Sequence, residues 1–257
     1  MNKIEVQIAT HGKDGLITIQ NRQYPVVEGV IYRVGWQGGV SYSIADNIIV
    51  NGNTARSLTE NRNCLIDCCE TEIILFGDND ISYTAEQILN IIACFEAHSN
   101  VDFVCFKLDR KDKEYPTKMF DIGKPQRSYF PSSCEIAVRK SFLNKHNIRF
   151  DTRFGLGARF ICFEEQLFIN DLLKMGAQGL YLPVIIGRHE SETSTGTNPE
   201  VKQKVEMARG AAFAMMTPFS GPFRLAVQAL RNRSLQYLFN GLKGYFSVLL
   251  RPNQRDI

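Results

Sequence analysis

The sequence predicts an α/β fold with a mostly parallel central sheet, because strand-like and helix-like segments alternate along most of its 257 residues. A second observation is the apolar run at residues 73–76, which suits a strand covered on both faces. Gly77 ends this run, and Asp78 and Asp80 follow it. Open α/β sheets bind their ligands at this end of their strands, so the run also marks a candidate functional site.

Apolar periodicity and turn residues define the elements in chain order. Strands are predicted at residues 4–9, 29–34, 47–50, 72–76, 101–106, 134–138, 148–150 and 180–186. Helices are predicted at residues 54–69, 84–97, 140–145, 163–175 and 199–216. Loops or turns are predicted at residues 10–15, 51–53, 151–158 and 187–196, and a loop or hairpin over the sheet edge is predicted at residues 107–127. Pro183 interrupts the last strand and predicts that this strand lies near a sheet edge.

Residues 84–97 show the clearest helix signature. Thr84 suits an N-cap, and Gln87 three residues later suits a capping box. The apolar residues that follow fall on one helical face. They are Ile88, Ile91, Ile92 and Phe95.

The composition limits the class of protein. With 44% hydrophobic and 22% charged residues, it is that of an ordinary soluble globular protein. No apolar run approaches the roughly 18 residues needed to span a bilayer. The first residues lack the apolar core of a signal peptide. We therefore expect the chain to stay in the cytoplasm.

The cysteine count is seven, an odd number, and the cysteines are scattered through predicted helices and strands. In a cytosolic protein they are expected to be reduced core residues. Cys64, Cys68 and Cys69 lack the second close pair of ligands that a zinc site needs, so no zinc site is predicted.

Charge is distributed unevenly along the chain, whose net charge is +3. Residues 217–257 contain six Lys or Arg residues and one acid. Pro218, Gly221 and Pro222 form a plausible hinge at the start of this segment. We therefore predict a catalytic domain at residues 1–216 and a basic helical extension at residues 217–257.

Residues 222–250 combine apolar and basic side chains at helical spacing. One interpretation is an amphipathic segment on an anionic membrane, which would make the protein peripheral to the inner face of the plasma membrane. The other is that the apolar face packs on the domain or on a second subunit. Nucleic acid is not an expected partner, because no basic patch occurs outside this tail.

The candidate functional side chains lie at predicted loop ends, and each also has an ordinary structural explanation. Asp78 and Asp80 can share a hard divalent cation, but Asp-Asn-Asp is also common turn chemistry. Glu164 and Glu165 begin a helix, where acids complement the positive helix end. His189 falls in a predicted loop, where a solvated histidine is the simpler reading. The sequence contains no P-loop, no Gly-x-Gly-x-x-Gly pattern and no serine nucleophile elbow.

In order and spacing, these motifs resemble a bacterial family 2 glycosyltransferase of the GT-A fold, of the type found in surface-polysaccharide clusters. The resemblance covers roughly residues 4–215. The matching motifs are Ala9-Thr10-His11-Gly12, Asn61-Arg62-Asn63, Asp78-Asn79-Asp80, Phe150-Asp151, Phe154-Gly155-Leu156-Gly157-Ala158, Glu164-Glu165, Tyr181-Leu182-Pro183, His189 and Ser194-Thr195-Gly196.

The resemblance implies a GT-A-like, Rossmann-type α/β/α sandwich that transfers a sugar, with inversion, from a nucleotide diphosphate sugar to a carbohydrate or lipid-linked acceptor. A UDP-sugar is the expected donor and Mn²⁺ or Mg²⁺ the expected cofactor. In this family an Asp-x-Asp turn holds the cation on the diphosphate, where it offsets the charge of the leaving group. The implied metal ligands are Asp78, Asp80 and His189.

The resemblance also implies roles in binding and proton transfer. Glu165 is the implied general base on the acceptor hydroxyl, and Glu164 is expected to contact sugar hydroxyls. Arg62 is expected to position the nucleotide. The other residues implied in binding the nucleotide sugar are Thr10, His11, Gly12, Asp78, Asn79, Gly155, Gly157 and Ala158.

The chain departs from the family pattern at three places. One is at residues 57–60, before Asn61, which lack the run of small residues expected there. No acid follows the second strand, where Trp36 or Gln37 would have to replace it, and Phe163 stands where a glycine is expected before Glu164. Two alternatives are therefore kept. A sugar nucleotidyltransferase needs a basic, glycine-rich phosphate loop, of which residues 10–15 are a poor version. A degenerate domain would bind a glycan or act as a scaffold without catalysis.

Overall fold

A computed structural model of the chain describes residues 3–123, 129–189 and 198–250. The chain forms two compact units. The first comprises Met1–Arg56, Glu60–Arg149 and Asp171–Glu192, and the second comprises Ser57–Thr59, Phe150–Asn170 and Thr193–Ile257. The predicted Ser194-Thr195-Gly196 motif lies outside the described residues.

The first unit is built on a ten-stranded sheet. The order of strands across it is β3-β4-β2-β1-β5-β9-β7-β10-β6, and β8 pairs with β10. In chain order the strands are β1 (Ile4–His11), β2 (Val30–Gln37), β3 (Tyr42–Ala45), β4 (Ile48–Asn53), β5 (Ile73–Asp78), β6 (Ile81–Ser82), β7 (Phe103–Asp109), β8 (Phe120–Ile122), β9 (Ile136–Arg139) and β10 (Gly179–His189).

The sheet is mostly parallel, as predicted. Strands β4, β2, β1 and β5 are parallel neighbours, as are β7 and β10, while β9 runs antiparallel between β5 and β7. The predicted buried strand is confirmed, because Ile74, Leu75 and Phe76 of β5 are fully buried. Pro183 lies in β10, which is next to the outermost strand β6, so its predicted place near an edge is also confirmed.

The helices follow the predicted alternation with strands. Helix α3 begins as expected, with a capping box in which Thr84 and Gln87 exchange side-chain and backbone hydrogen bonds of 2.9 and 3.2 Å. The helices are α1 (Gly12–Asn21), α2 (Leu58–Cys68), α3 (Ala85–Ala97), α4 (Lys140–His146), α5 (Glu164–Lys174), α6 (Pro199–Met216), α7 (Gly221–Arg231) and α8 (Leu235–Leu250), and Ser133–Glu135 forms a 3₁₀ turn.

Helix α1 corrects the predicted loop at residues 10–15. Gly12 has φ +68°, a left-handed conformation that glycine adopts easily, and the helix begins there directly after β1. Only Gly15 and Ile19 of this helix are buried. Two buried positions give too weak a periodic pattern to reveal the helix in the sequence.

The region between β2 and α2 holds three further corrections. The predicted turn at residues 51–53 is part of β4, and β3 was not predicted. The predicted start of the helix at residue 54 is wrong, since α2 begins at Leu58. The Asn53 side chain instead accepts a hydrogen bond from the Ala55 backbone at 3.1 Å. This contact forms a turn, and the helix begins only after it.

All seven cysteines are free, as expected, and Cys69, Cys105 and Cys134 are buried. The prediction that they are core residues is wrong for Cys68, which is the last residue of α2 and is exposed.

The second unit has its own apolar core, which includes Phe154, Leu167, Ala211 and Tyr245. Close packing of α6 on α8 depends on glycine. A Cβ on Gly210 would overlap the Gly241 carbonyl oxygen, and one on Gly244 would overlap the Met207 carbonyl oxygen. No helix among the described residues is long and apolar enough to cross a membrane.

Candidate functional site

The carboxyl ends of the parallel strands bring the predicted polar residues to one edge of the sheet in the first unit. Ala9 pairs in register with Asp78, and Thr10 pairs with Trp36. Asn53 ends β4 opposite Gln37 of β2. This edge is where open α/β sheets bind ligands.

Arg62 and Asp78 form a hydrogen-bonded ion pair at this edge. Arg62 Nη2 lies 2.9 Å from Asp78 Oδ1, and the Arg62 side chain is 1% exposed. Asp78 is the last residue of β5 and is one-third exposed, so the pair joins a buried cation to a carboxylate that solvent still reaches. Asp78 is therefore held by Arg62 and retains an accessible side.

Asparagine side chains connect the strand ends. Asn61 donates to the backbone oxygens of Thr10 and Gly35 at 3.2 and 2.8 Å, and its own oxygen accepts from Asn53 at 2.8 Å. Asn79 donates to the Thr10 hydroxyl at 3.3 Å. The Asp-Asn-Asp turn is thereby tied to the end of β1.

Asp80 and His189 meet because β6 pairs with β10, with Ile81 opposite His189. His189 Nε2 lies 3.5 Å from Asp80 Oδ2. A carboxylate oxygen and an imidazole nitrogen suit Mn²⁺, so this donor pair fits the expected cation in kind. Asp78 is directed to Arg62, and within the described residues no group of three or more His, Cys, Asp or Glu side chains is arranged to hold a metal ion.

A buried tyrosine, Tyr83, lies close to the Asp-Asn-Asp turn in the sequence. The Tyr83 hydroxyl lies beside Gly77, where a Cβ would stand 2.9 Å from it. Burial raises the pKa of Tyr83 well above its ordinary value, with smaller contributions from Cys134 and Asp78. Tyr83 is therefore a neutral phenol next to Gly77, and it supplies no charge to the turn that follows.

The predicted glycine loop lies in the second unit and is held by residues 57–59. Leu58 donates its backbone N–H to Leu156 at 2.9 Å, and the Thr59 hydroxyl donates to the Phe154 carbonyl at 2.8 Å. Gly155 and Gly157 have φ values of +103° and +79°, which favour glycine. The Ala158 backbone donates to Gly155 at 3.0 Å and completes the turn.

Glu164 and Glu165 begin α5 beside this loop, and their exposure differs. Glu164 is buried, and a Cβ on Gly155 would stand 3.4 Å from its carboxyl carbon. Glu165 is partly exposed. Of the two acids, Glu165 is the one that a solvent-borne group can reach.

Phe163, which precedes the acids, has φ +82°. Phe163 stands where the resemblance implies a glycine, and it has a backbone conformation that glycine favours. Its ring lies 5.5 Å from the Arg209 guanidinium, within cation–π range. Next to it, the pKa of Cys162 is raised to about 12, mainly by burial and then by Glu164 and Glu165, while Arg209 lowers it.

Several expected residues are thus placed together and others are not. Thr10, Arg62, Asp78, Asn79, Asp80 and His189 converge in the first unit, whereas Gly155, Gly157, Ala158, Glu164 and Glu165 belong to the second. His11 is exposed and Gly12 has open space where a Cβ would be. Asn53 was not identified from the sequence as a residue of the site. It would have been identified if the predicted strand β4 had been extended as far as its parallel neighbours.

Comparison with solved structures finds the same fold in glycosyltransferases. TarS from S. aureus matches with a TM-score of 0.56 and 15% identity, over 95% of this chain and 55% of TarS. The chain thus spans about half the length of that protein. TarS 1–349 matches with a TM-score of 0.58 and 14% identity, over 98% of this chain and 92% of that one.

A third similar structure is the mannosyltransferase PcManGT from Pyrobaculum calidifontis, in complex with GDP-Man and Mn²⁺. Its TM-score is 0.53 at 12% identity, over 96% of this chain and 75% of that one. No protein-family model and no curated protein matches the sequence. The predicted fold class, a GT-A-like α/β fold with a mostly parallel sheet and C-terminal helices, is confirmed.

Proposed function

We propose that the protein is a glycosyltransferase that moves a sugar from a nucleotide diphosphate sugar to a carbohydrate or lipid-linked acceptor. The observation that carries this proposal is the pairing of Arg62 with Asp78 and of Asp80 with His189 at the ligand-binding edge of a fold shared with glycosyltransferases. An inverting, family 2 enzyme of surface polysaccharide biosynthesis is the specific form proposed.

The donor is proposed to bind at the carboxyl ends of β1, β2 and β5. TarS 1–349 has been solved with UDP and with UDP-GlcNAc, and PcManGT with GDP-Man, which supports a nucleotide sugar and leaves UDP as the proposed carrier. Thr10, His11 and Gly12 would contact the nucleotide. Arg62 would hold Asp78 in a fixed orientation toward it.

Asp80 and His189, with Asp78, are the residues that would hold Mn²⁺ or Mg²⁺. The cation would supply Lewis-acid stabilisation of the negative diphosphate. The protein's own contribution is to keep the carboxylates in place. Arg62 fixes Asp78, while the β6–β10 pairing fixes Asp80 relative to His189.

Glu165 is the proposed general base. The acceptor oxygen forms a bond to the anomeric carbon as the bond from that carbon to the diphosphate breaks, and the electron pair leaves with the diphosphate. The acceptor proton passes to the Glu165 carboxylate. The partial exposure of Glu165 and the burial of Glu164 favour this assignment, with Glu164 and the glycine loop contacting sugar hydroxyls.

Calorimetric titration with UDP and GDP, with and without Mn²⁺, tests the donor site. Binding should require the cation and should be lost in Asp80→Asn. The matched control is Asp46→Asn, which changes an exposed turn aspartate of the same unit and should bind normally. Binding that needs no metal and survives Asp80→Asn would overturn the proposed function.

A transfer assay tests the base, after a panel of nucleotide sugars has been screened for metal-dependent thermal stabilisation. Glu165→Gln should keep donor binding and lower transfer by about 10²- to 10⁴-fold. Glu86→Gln is the control, because Glu86 is also an acid in the first turn of a helix. Normal transfer by Glu165→Gln would assign the base to another residue.

A further inference from the structure

The outer faces of α7 and α8 carry a set of large apolar side chains exposed to solvent. Their exposed fractions range from 48% for Leu249 to 101% for Phe219. Such side chains are common singly on a surface, but a set this dense on two successive helices indicates an interaction site. The set on the helices is Phe223, Leu230, Leu235, Phe239, Phe246, Leu249 and Leu250, and Phe219, which lies just before α7, joins it.

In α8 the exposed apolar residues form a stripe along one face. Leu235, Phe239, Phe246 and Leu250 follow one another at intervals of four, seven and four residues, which places them on one side of a helix. The opposite side is the one that packs inside the unit. It presents Tyr237, Asn240, Gly241, Gly244, Tyr245 and Val248, all of which are buried. The stripe is therefore not the face that holds α8 in place.

Helix α7 repeats the arrangement and adds charge. Phe223 and Leu230 are seven residues apart and so lie on the same side, away from the buried Leu225. An exposed arginine follows each of them, at Arg224 and Arg231. The exposed surface of α7 is thus an apolar strip with a basic border.

The charge of this surface has one sign. Residues 217–250 contain Arg224, Arg231, Arg233 and Lys243, all exposed, and no Asp or Glu. A second copy of the chain is a poor occupant, since a symmetric contact would bring these cations against themselves. An anionic lipid surface offers both an apolar interior for the phenyl rings and phosphate groups for the guanidinium groups.

We propose that α7 and α8 dock the protein on an anionic bilayer, with the exposed phenylalanine and leucine side chains in the headgroup–acyl boundary and the four cations on lipid phosphate. This inference stands on the surface alone and does not depend on the proposed transferase activity. Combined with that activity, docking would place the enzyme where a lipid-linked acceptor is found.

Co-sedimentation with vesicles tests the proposal on the full chain. Phosphatidylcholine vesicles containing phosphatidylglycerol should bind the protein at low salt, and binding should fall at high salt and with phosphatidylcholine alone. Truncation at Thr217 is a poor test, because α6 packs on α8 and would lose its partner. Substitutions on the exposed faces avoid this problem.

Two triple variants separate the apolar and the basic contributions. Phe223→Ser/Phe239→Ser/Phe246→Ser should abolish sedimentation, and Arg224→Gln/Arg231→Gln/Arg233→Gln should weaken binding by about fivefold per charge. Matched controls change exposed residues elsewhere. They are Val26→Ser/Val40→Ser/Met119→Ser and Lys118→Gln/Lys145→Gln/Lys202→Gln.

The controls should sediment like the unchanged protein, and circular dichroism should show that every variant is folded. Three results would each overturn the proposal. They are no binding to phosphatidylglycerol vesicles, equal losses in the controls and the test variants, and a dimer in sedimentation velocity that the serine variants dissociate while vesicles bind neither protein.

Discussion

The Arg62 guanidinium is buried to 1% exposure and lies 2.9 Å from Asp78 Oδ1, whereas Asp80 lies 3.5 Å from His189. The two aspartates of one turn therefore have different physical roles. Asp78 balances a buried charge, and Asp80 meets an imidazole. Stability should depend on Asp78, which would also contribute to metal binding, while Asp80 should matter for metal binding and little for stability.

Alanine substitution separates these roles. Asp78→Ala leaves the Arg62 charge buried without this carboxylate and should cost about 3 kcal/mol of unfolding free energy. Asp80→Ala removes a partly exposed partner and should cost at most about 1 kcal/mol. Urea unfolding measures both. The double variant Arg62→Met/Asp78→Asn should regain stability over Asp78→Ala; if it does not, the buried charge is not the cause.

The sequence predicted the elements whose signals are local. The helix at residues 84–97 could be predicted from its own capping residues and apolar face. The strand at residues 73–76 could be predicted because four consecutive apolar residues indicate a strand buried on both faces. The Asp80–His189 contact depends on pairing between Ile81 and His189, which are far apart in the chain. The spacing of neighbouring residues does not show how two distant strands pair. The pairing of Asp80 with His189 was therefore predicted from the resemblance to a family and not from the residues alone.

Other parts of the site escaped because tertiary packing overrides weak local patterns. Helix α1 buries only two residues, and the asparagine-rich end of β4 has the composition of a turn. The backbone strain at Phe163 is also invisible in a sequence, since a phenylalanine there predicts an ordinary conformation. Comparison with a family pattern pointed to the position without giving its geometry.

The left-handed conformation of Phe163 should make glycine a better replacement than alanine. Phe163→Gly loses the ring contact with Arg209 and relieves the strain at φ +82°, while Phe163→Ala loses the same contact and keeps the strain. In thermal unfolding, the free energy of unfolding of the glycine variant should be about 1 kcal/mol higher than that of the alanine variant.

Phe142 in α4 provides the control, because it occupies a helix interior. There the order should reverse, with alanine more stable than glycine by about 1 kcal/mol. The same order at both positions would argue against strain at Phe163.

The Cys162 thiol should report the charges of the acidic pair. Its pKa is raised to about 12 by burial first and then by Glu164 and Glu165, so the thiol is protonated at neutral pH. Only the thiolate is alkylated, and the rate should rise about tenfold per pH unit below the pKa. Glu164→Gln/Glu165→Gln removes negative charge, lowers the pKa and should speed alkylation at a fixed pH.

Arg209→Gln should raise the pKa of Cys162 and slow its alkylation, because the guanidinium lowers this pKa. Arg209→Lys keeps the positive charge and should change the rate less. Mass spectrometry of the peptide containing Cys162 follows the reaction without interference from the other cysteines. Glu86→Gln is the control for a distant charge. Unchanged alkylation in the Glu164/Glu165 double variant would contradict this electrostatic account.

The contact of Gly210 on α6 with Gly241 on α8 leaves no room for a methyl group. Glycine to alanine in a helix interior ordinarily stabilises by about 1 kcal/mol. Gly210→Ala should instead destabilise by roughly 1–3 kcal/mol, because the helices must separate. Lys202→Ala on the exposed side of α6 is the control and should be neutral or slightly stabilising. Guanidinium unfolding that shows Gly210→Ala as stable as the control would refute the close packing. The expected loss would mean that α8, which follows the predicted boundary at residue 217, folds together with α6, which precedes it, so that the extension is part of one cooperative unit.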